Sequence, residues 1–222
     1  MTHAFDDEYW DQIWSGERAA AMATSEPNPH LARELSDLVP GTALDAGCGG
    51  GAEAIWLASR GWRVIGADIA AAALGHASER ADASGVAGLV AWVQADLSTW
   101  EPGATFDLVT THYAHPSMPQ LDFYDRVASW VAPGGTLLIV GHLHHDATGH
   151  GEPGHGEPGR GEHGHRHSEH EPPAEASATA AAITALLDPD RWEVVTAAET
   201  HRVPPGHDVT LHDVVVRASR RP

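Results

Sequence analysis

LDAGCGGG, residues 44–51, decides the fold, because it closes a short β-rich run and opens a helical one. Glycine has no Cβ, so this stretch lets the backbone turn tightly and approach a ligand closely. The start of the following helix presents free N–H groups and a partial positive charge, which suit a ligand carboxylate or a pyrophosphate equally. Gly47, Gly49 and Ala52 also satisfy the dinucleotide-binding pattern GxGxx(G/A), so the turn alone leaves the ligand open.

Short β-rich runs and Ala-rich helical runs alternate around this turn. The predicted strands are Thr42–Asp45, Arg63–Asp68, Leu89–Gln94, Phe106–Thr111, Thr136–His142, Trp192–Ala198 and Val209–Arg217. The predicted helices are Asp6–Trp14, Asn28–Val39, Ala52–Arg60, Ala70–Ser84, Gln120–Val131 and Ala174–Leu187. This alternation predicts βαβ units and an α/β fold, with a parallel sheet covered on both faces. The last two strands are close in the chain, which favours an antiparallel pair.

Three carboxylates lie at the carboxyl ends of the first three predicted strands, where open α/β sheets bind ligands. Asp45 lies two residues before the first glycine, within reach of a ligand ammonium group. Asp68 is placed to accept hydrogen bonds from two ribose hydroxyls. Asp96 offers a carboxylate to an adenine amino group, and Leu97 an apolar contact for the ring. Taken singly, each aspartate is also typical of a helix cap, but their order along the chain favours one shared ligand site.

Four motifs together resemble class I S-adenosylmethionine-dependent methyltransferases, nearest to the tellurite-resistance and thiopurine small-molecule enzymes. They are LDAGCGGG at 44–51, VIGADIA at 64–70, QADL at 94–97 and FDLVTTHYAHP at 106–116. The resemblance implies a Rossmann-like, doubly wound, seven-stranded sheet that is mostly parallel with an antiparallel last strand. It also implies a cofactor site for S-adenosylmethionine made of Asp45, Gly47, Cys48, Gly49, Gly51, Asp68, Ile69, Asp96, Leu97 and Thr111.

The segment after the fourth strand is expected to face the methyl group and to line the acceptor pocket. His112 and His115 are the candidate general bases, because imidazole titrates near neutral pH. The alternative is that both only shape the pocket, since methyl transfer to a soft nucleophile needs alignment more than a base. Tyr113 and Trp14 complete the predicted substrate pocket. Trp14 and its neighbours either stack over the sulfonium or dock the first helix on the core.

Two regions flank this predicted machinery. Residues 1–40 are predicted to form an N-terminal helical cap, and residues 41–222 the Rossmann-like domain. Inside that domain, residues 143–173 are rich in His, Gly, Glu and Pro, with almost no apolar side chains. We expect this insertion to be disordered, because it cannot bury enough surface to fold alone. Its histidines leave two interpretations open, a solvated lid or weak binding of a transition metal at several sites.

Composition excludes several classes of function. The formal net charge is −18, which disfavours a nucleic-acid partner, and no run approaches the length of a membrane span. The chain contains no lysine, which excludes Schiff-base and P-loop chemistry, and Cys48 is its one cysteine. Together with the resemblance, which implies methyl transfer, these exclusions lead us to expect a cytoplasmic enzyme that methylates a small-molecule acceptor and needs no metal for the reaction. The alternatives are an NAD(P)-dependent oxidoreductase and a His-rich metal-binding protein on a Rossmann-like scaffold.

Overall fold

The computed structural model describes residues 5–16, 19–143, 177–203 and 210–222. Its helices are α1 (Asp7–Ser15), α2 (Ala19–Ala23), α3 (Pro29–Leu35), α4 (Ala52–Ala58), α5 (Ala71–Ala83), α6 (Gln120–Ser129) and α7 (Ala180–Thr184). Its strands are β1 (Thr42–Ala46), β2 (Arg63–Asp68), β3 (Val90–Gln94), β4 (Phe106–His112), β5 (Val131–His142), β6 (Trp192–Arg202) and β7 (Leu211–Arg220). The predicted His-rich insertion at 143–173, with the metal binding considered for it, lies outside the described residues apart from Leu143.

The strands form one sheet in the order β3-β2-β1-β4-β5-β7-β6. The pairs from β3 through β5 are parallel, whereas β7 runs antiparallel to both β5 and β6. The predicted α/β fold with an antiparallel last strand is therefore confirmed. The chain order reverses between β1 and β4, and in sheets of this kind the carboxyl ends at such a point form a crevice. That crevice is where the glycine turn lies.

Helices cover both faces of the sheet, as its buried strands require. One core cluster contains Phe123 and Val127 of α6 against Ile139 of β5, all fully buried. The cluster on the opposite face contains Leu57 of α4 and Leu31 of α3. Helix α3 thus packs into the core, although it belongs to the predicted N-terminal cap. The sheet between these clusters is a rigid support for the loops at its carboxyl edge.

Strand β5 begins earlier than the sequence predicts. The helix predicted to reach Val131 ends at Ser129, because Val131 already pairs with Phe106 in the sheet. The register then shifts, so that Thr136 pairs with Leu108. The Pro-Gly-Gly sequence at 133–135 is therefore an irregularity inside β5 and not a turn before it.

Other element boundaries also differ from the prediction. Helix α7 begins only at Ala180, because the Thr179 hydroxyl caps it by accepting a hydrogen bond from the Ala182 N–H. The predicted start of this helix, 174–176, lies outside the described residues. Strand β6 extends to Arg202, since it stays paired with β7 to that point. Helix α2 was not predicted, because its five residues are too few to show a periodic pattern.

Candidate active site

The glycine turn between β1 and α4 needs glycine for two separate reasons. Gly47, Gly49 and Gly51 have φ values of 80°, 48° and 76°, in the left-handed region that favours glycine. A Cβ on Gly51 would lie 2.6 Å from a Trp92 ring carbon, and one on Gly47 would lie 2.3 Å from the Ala114 Cβ. The turn is thus packed from both sides, and no side chain fits between it and its neighbours.

Asp45 lies in β1 just before the turn, and only 1% of its surface is exposed. Its Oδ2 atom is buried and has no hydrogen-bond partner in the described structure. Burial raises the pKa of this carboxyl group well above its ordinary value, and the negative charges of Glu53 and Asp68 raise it further. A buried carboxylate oxygen without a donor is costly, so the site is suited to a cationic donor from a ligand.

Asp68 connects the end of β2 to the glycine turn. Its Oδ2 accepts a hydrogen bond from the Gly49 N–H at 2.8 Å, and its Oδ1 accepts one from the Ala70 N–H at 3.0 Å. Each carboxylate oxygen can accept a second hydrogen bond, so two ligand hydroxyls can still be bound. Burial raises the pKa of Asp68 despite these backbone donors. Asp68 and the following Ile69 both line the cavity described below.

Asp96 has a local structural role in addition to its position beside the cavity. Its Oδ1 accepts hydrogen bonds from the Ser98 N–H at 2.9 Å and from the Ser98 hydroxyl at 2.7 Å. Asp96 thus caps the local turn, which is the alternative that the sequence left open for it. Its Oδ2 accepts a long hydrogen bond of 3.5 Å from the Thr99 hydroxyl. Leu97 beside it is buried in the core and lines the same cavity.

A cavity of about 800 Å³ opens beside the glycine turn. It brings together nine of the predicted site residues, namely Trp14, Gly47, Asp68, Ile69, Asp96, Leu97, His112, Tyr113 and His115. Five others do not line it, namely Asp45, Cys48, Gly49, Gly51 and Thr111. Asp45 and Thr111 are buried, each with an unpartnered side-chain oxygen. Cys48 is buried too, and burial raises the pKa of its thiol well above the ordinary value, which makes the thiol inert.

Aromatic side chains of the N-terminal segment lie over the turn. Trp14 is 6% exposed and packs so closely on Gly49 that a Cβ there would lie 2.8 Å from its ring. Trp10 and Phe5 line the cavity, stacked with ring centroids 6.1 Å apart. The Phe5 ring also lies 6.0 Å from that of His115. Helix α1 therefore both docks on the core and contributes aromatic surface to the cavity.

The opposite wall centres on Tyr113, which follows β4 with a positive φ of 55°. Its hydroxyl donates to Asp213 Oδ1 at 2.8 Å and accepts from Asn28 Nδ2 at 3.0 Å and Arg202 Nη2 at 2.9 Å. Burial, followed by the charge of Asp213, raises the pKa of Tyr113 above its ordinary value. The hydroxyl has no proton to spare, so Tyr113 serves as a structural junction and not as an acid or base.

Three imidazoles surround this junction. His112 and His115 line the cavity, and His142 stacks on Tyr113 with ring centroids 4.2 Å apart. Burial lowers the pKa of each, and for His142 it lowers the pKa to about 4. All three rings are therefore neutral at pH 7. The Nε2 atom of His112 is buried without a hydrogen-bond partner in the described structure.

Five polar residues of the cavity wall were not identified from the sequence, namely Ser25, Glu26, Asn28, Glu53 and Arg202. Glu53 is in the first turn of α4, where a carboxylate commonly occurs, and its Oε1 accepts a hydrogen bond from the Asn28 N–H at 2.9 Å. The position of Glu53 just after the glycine turn could have identified it from the sequence as a residue of the cavity wall. Asn28 caps α3 before Pro29, which identifies a helix start but no ligand. Arg202 carries no local signal, because only the β6–β7 pairing brings it to the site.

The residues that the structure describes contain neither a cluster of metal ligands nor a membrane-spanning helix. Among them, no three His, Cys, Asp or Glu side chains come together as a metal site. Among the same residues, no helix has the length and apolar character needed to cross a bilayer.

The amino-acid sequence of this chain is similar to those of known methyltransferases. Residues 43–135 match the family model described as a methyltransferase domain. Thiocyanate methyltransferase 1 of Arabidopsis thaliana is 35% identical over 103 residues, 45% of this chain and 44% of that protein. A probable thiol methyltransferase 2 of the same plant is 28% identical over 135 residues, 58% of this chain and 59% of that protein. The chain thus spans about half the length of these curated relatives.

A solved structure extends the similarity to the whole described fold. The N-methyltransferase NodS from Bradyrhizobium japonicum WM9, in complex with S-adenosyl-L-homocysteine, superposes on 97% of this chain and 98% of its own. The TM-score is 0.64 at 17% sequence identity, which establishes a shared fold.

Proposed function

We propose that this chain, whose residues 43–135 form a class I S-adenosylmethionine-dependent methyltransferase domain, transfers a methyl group to a small-molecule acceptor. The observation that carries the proposal is the cavity of about 800 Å³ beside the glycine turn, lined by Gly47, Asp68 and Leu97, with the unpartnered Oδ2 of Asp45 buried next to the turn. An aliphatic amino group is a donor that would satisfy this oxygen, and the cofactor carries one. A pyrophosphate would instead be repelled by this carboxylate.

The other residues of this wall also fit the cofactor. Asp68 has spare acceptor capacity for the two ribose hydroxyls, and Leu97 with Asp96 suits the face and amino group of adenine. Trp10 lines the cavity with an aromatic face, which attracts the positive charge of a sulfonium. When bound, the cofactor supplies an electrophilic methyl group. The residues of the chain then contribute alignment and exclusion of water, which together lower the barrier by several kcal/mol.

The acceptor is expected on the wall formed by the end of β4. The curated relatives are named for thiocyanate and thiols, which are soft nucleophiles, and we propose the same chemical class here. This wall combines neutral imidazoles with apolar side chains such as Leu211 and Pro116. Such a surface desolvates a sulfur nucleophile without protonating it. We further propose a cytoplasmic location for this enzyme, as expected from the sequence.

We assign proton removal from a neutral acceptor to His115. Gln120 is oriented by its Nε2, which donates to the Ala114 carbonyl at 3.0 Å, so its Oε1 lies 3.3 Å from His115 Nδ1. An amide oxygen accepts only, so Nδ1 of the imidazole must carry the proton. The Nε2 atom of His115 then has a free lone pair. Because burial lowers the pKa of this ring, it stays unprotonated at neutral pH and can take a thiol proton.

Transfer of a labelled methyl group to two acceptors separates alignment from proton removal. 3-Mercaptopropionate must lose a thiol proton, whereas thiocyanate is an anion throughout the neutral range. His115→Gln is expected to lower kcat/KM for the thiol by about 100-fold, the usual contribution of a positioned base, and to change that for thiocyanate by less than about threefold. His201→Gln, at an exposed position on β6, is the matched control and should match the wild type.

The same assay can refute the proposal at two levels. Equal losses on both acceptors would show that His115 shapes the pocket and removes no proton. Absence of labelled product from either acceptor, together with absence of S-adenosylhomocysteine binding, would refute the methyltransferase assignment itself.

A further inference from the structure

Arg202 brings a permanent cation to the acceptor side of the cavity. It is at the end of β6, and its side chain lines the cavity near Tyr113. Its Nε donates to Asp213 Oδ2 at 2.5 Å and its Nη2 donates to the Tyr113 hydroxyl at 2.9 Å. These two bonds fix the plane of the guanidinium group. Among the described residues, its Nη1 forms no hydrogen bond, so one edge of the group remains available.

In the ion pair between Arg202 and Asp213, the cation faces the cavity and the anion is buried behind it. The side chain of Asp213 is 0% exposed, whereas that of Arg202 is 23% exposed. Asp213 also accepts hydrogen bonds from His30 at 3.1 Å and from Tyr113, so its charge is distributed into the protein. The cavity therefore meets the cationic end of the pair first. The two charges sum to zero, but an anion in the cavity lies closer to the cation than to the carboxylate. The pair therefore attracts an anion, more strongly so in a partly desolvated site.

No other group on this wall competes with Arg202 for that role. The imidazoles of His112, His115 and His142 are neutral at pH 7. Among the described residues, four carboxylates line the cavity, namely Glu26, Glu53, Asp68 and Asp96. Asp68 and Asp96 lie at the carboxyl ends of β2 and β3, Glu26 precedes α3, and Glu53 is in α4, where it accepts a hydrogen bond from the Asn28 N–H. Arg202 is the one permanent cation among the described residues that line the cavity, so an anion that enters is bound most favourably at its guanidinium group.

We infer that the acceptor is a small organic acid whose carboxylate is bound by Arg202 while its nucleophile faces the methyl group. The inference rests on the proposed function for the identity of the reacting groups. A carboxylate matches the planar edge of a guanidinium group, with which it can form two parallel hydrogen bonds. The cavity of about 800 Å³ also leaves room for an organic acceptor beside the cofactor, since pockets for single drug-sized ligands begin at about 300 Å³.

Two probes of nearly identical shape test this inference, 3-mercaptopropionate and its neutral amide. Their dissociation constants are measured by calorimetry on the protein with and without S-adenosylhomocysteine. We expect the acid to bind at least about tenfold more tightly than the amide, as a hydrogen-bonded charge pair usually gives. Arg202→Gln alone would leave the buried Asp213 carboxylate unpaired, so the informative variant combines Arg202→Gln with Asp213→Asn. In that double variant the preference for the acid should disappear, while amide binding stays within about twofold.

Arg217→Gln is the matched control, because Arg217 lies outside the cavity and forms an ion pair with the exposed Asp37. It should keep the full preference for the acid. Equal binding of acid and amide to the wild type, no detectable binding of the acid, or a preference that persists in the double variant would each overturn the inference. A preference for the acid without any binding of S-adenosylhomocysteine would instead retain the anion site and refute the proposed function.

Discussion

Replacement of Asp45 by Asn is expected to stabilise the ligand-free protein and to weaken cofactor binding. Asp45 is buried beneath the glycine turn with an unpartnered Oδ2, in the field of Glu53 and Asp68. Asparagine has the same shape and can keep the hydrogen bond that the Ala54 N–H donates to this side chain. It removes the negative charge, which in the absence of ligand has no compensating partner.

The two effects have magnitudes that follow from this geometry. An uncompensated buried carboxylate is costlier than a buried neutral amide, so Asp45→Asn should raise the free energy of unfolding by about 1–3 kcal/mol at a pH where Asp45 is ionised. The pKa of Asp45 in the folded protein lies above its ordinary value of 3.8. The contribution of this carboxyl group to the stability of the wild type is therefore lost as the pH rises from 3.8 through the folded pKa. The advantage of the variant is therefore full above the folded pKa and vanishes in acid. Loss of one charge-assisted hydrogen bond should weaken S-adenosylhomocysteine binding by about 10–100-fold.

Urea denaturation at several pH values and calorimetry with S-adenosylhomocysteine measure both effects. Asp107→Asn is a control of opposite sign, because the Asp107 carboxylate accepts hydrogen bonds from the N–H and hydroxyl of Thr42, each at 2.8 Å. That substitution should lower stability and leave cofactor affinity unchanged. The reasoning is refuted if Asp45→Asn is less stable than the wild type at neutral pH and binds S-adenosylhomocysteine with wild-type affinity.

Two further predictions concern packing and pH. Gly51→Ala should lower the free energy of unfolding by about 2–4 kcal/mol in urea denaturation, because φ is 76° and the new Cβ would lie 2.6 Å from Trp92 and 2.9 Å from Ala77. Gly75→Ala in α5 is the control, since nothing lies within 4 Å of that Cβ, and should be neutral or stabilising by about 0.5–1 kcal/mol; equal effects of the two would contradict the packing argument. His142 has a folded pKa of about 4 against 6.5 in the unfolded chain, so its contribution to stability is present above 6.5 and is lost as pH falls toward 4. The stability difference between wild type and His142→Gln should therefore shift against the wild type by about 1–2 kcal/mol from pH 7 to pH 5, and a pH-independent difference would contradict the assignment.

The residues that could be predicted from the sequence are those whose role is determined locally. The glycine turn and the aspartates at strand ends are identified by their neighbours in the chain, because a parallel sheet places successive strand ends at one edge. Asp45 and Asp68 lie at the carboxyl ends of β1 and β2 for this reason, although of the two only Asp68 lines the cavity. Asp96 shows the limit of the argument, since the same local pattern also describes the turn that it makes with Ser98.

Only part of the acceptor wall could be predicted, because the segment after β4 supplies Tyr113 whereas tertiary pairing alone brings Asn28, Arg202 and Asp213 to it. Tyr113, Asn28, Arg202 and Asp213 come from four separated parts of the chain and meet through one hydroxyl and one carboxylate. Periodicity places none of these side chains in a shared site. The extension of β6 to Arg202 was missed for a related reason, since this edge strand is mostly exposed and its sequence lacks a clear apolar alternation.

The most direct test of the account is a calorimetric titration of the wild-type protein with S-adenosylhomocysteine and, in parallel, with NAD⁺ and NADP⁺. The account predicts one S-adenosylhomocysteine per chain, with a dissociation constant on the order of micromolar or lower, and no binding of either dinucleotide. Binding of a dinucleotide without binding of S-adenosylhomocysteine would contradict it, because Asp45 would then not be the partner of a ligand amino group.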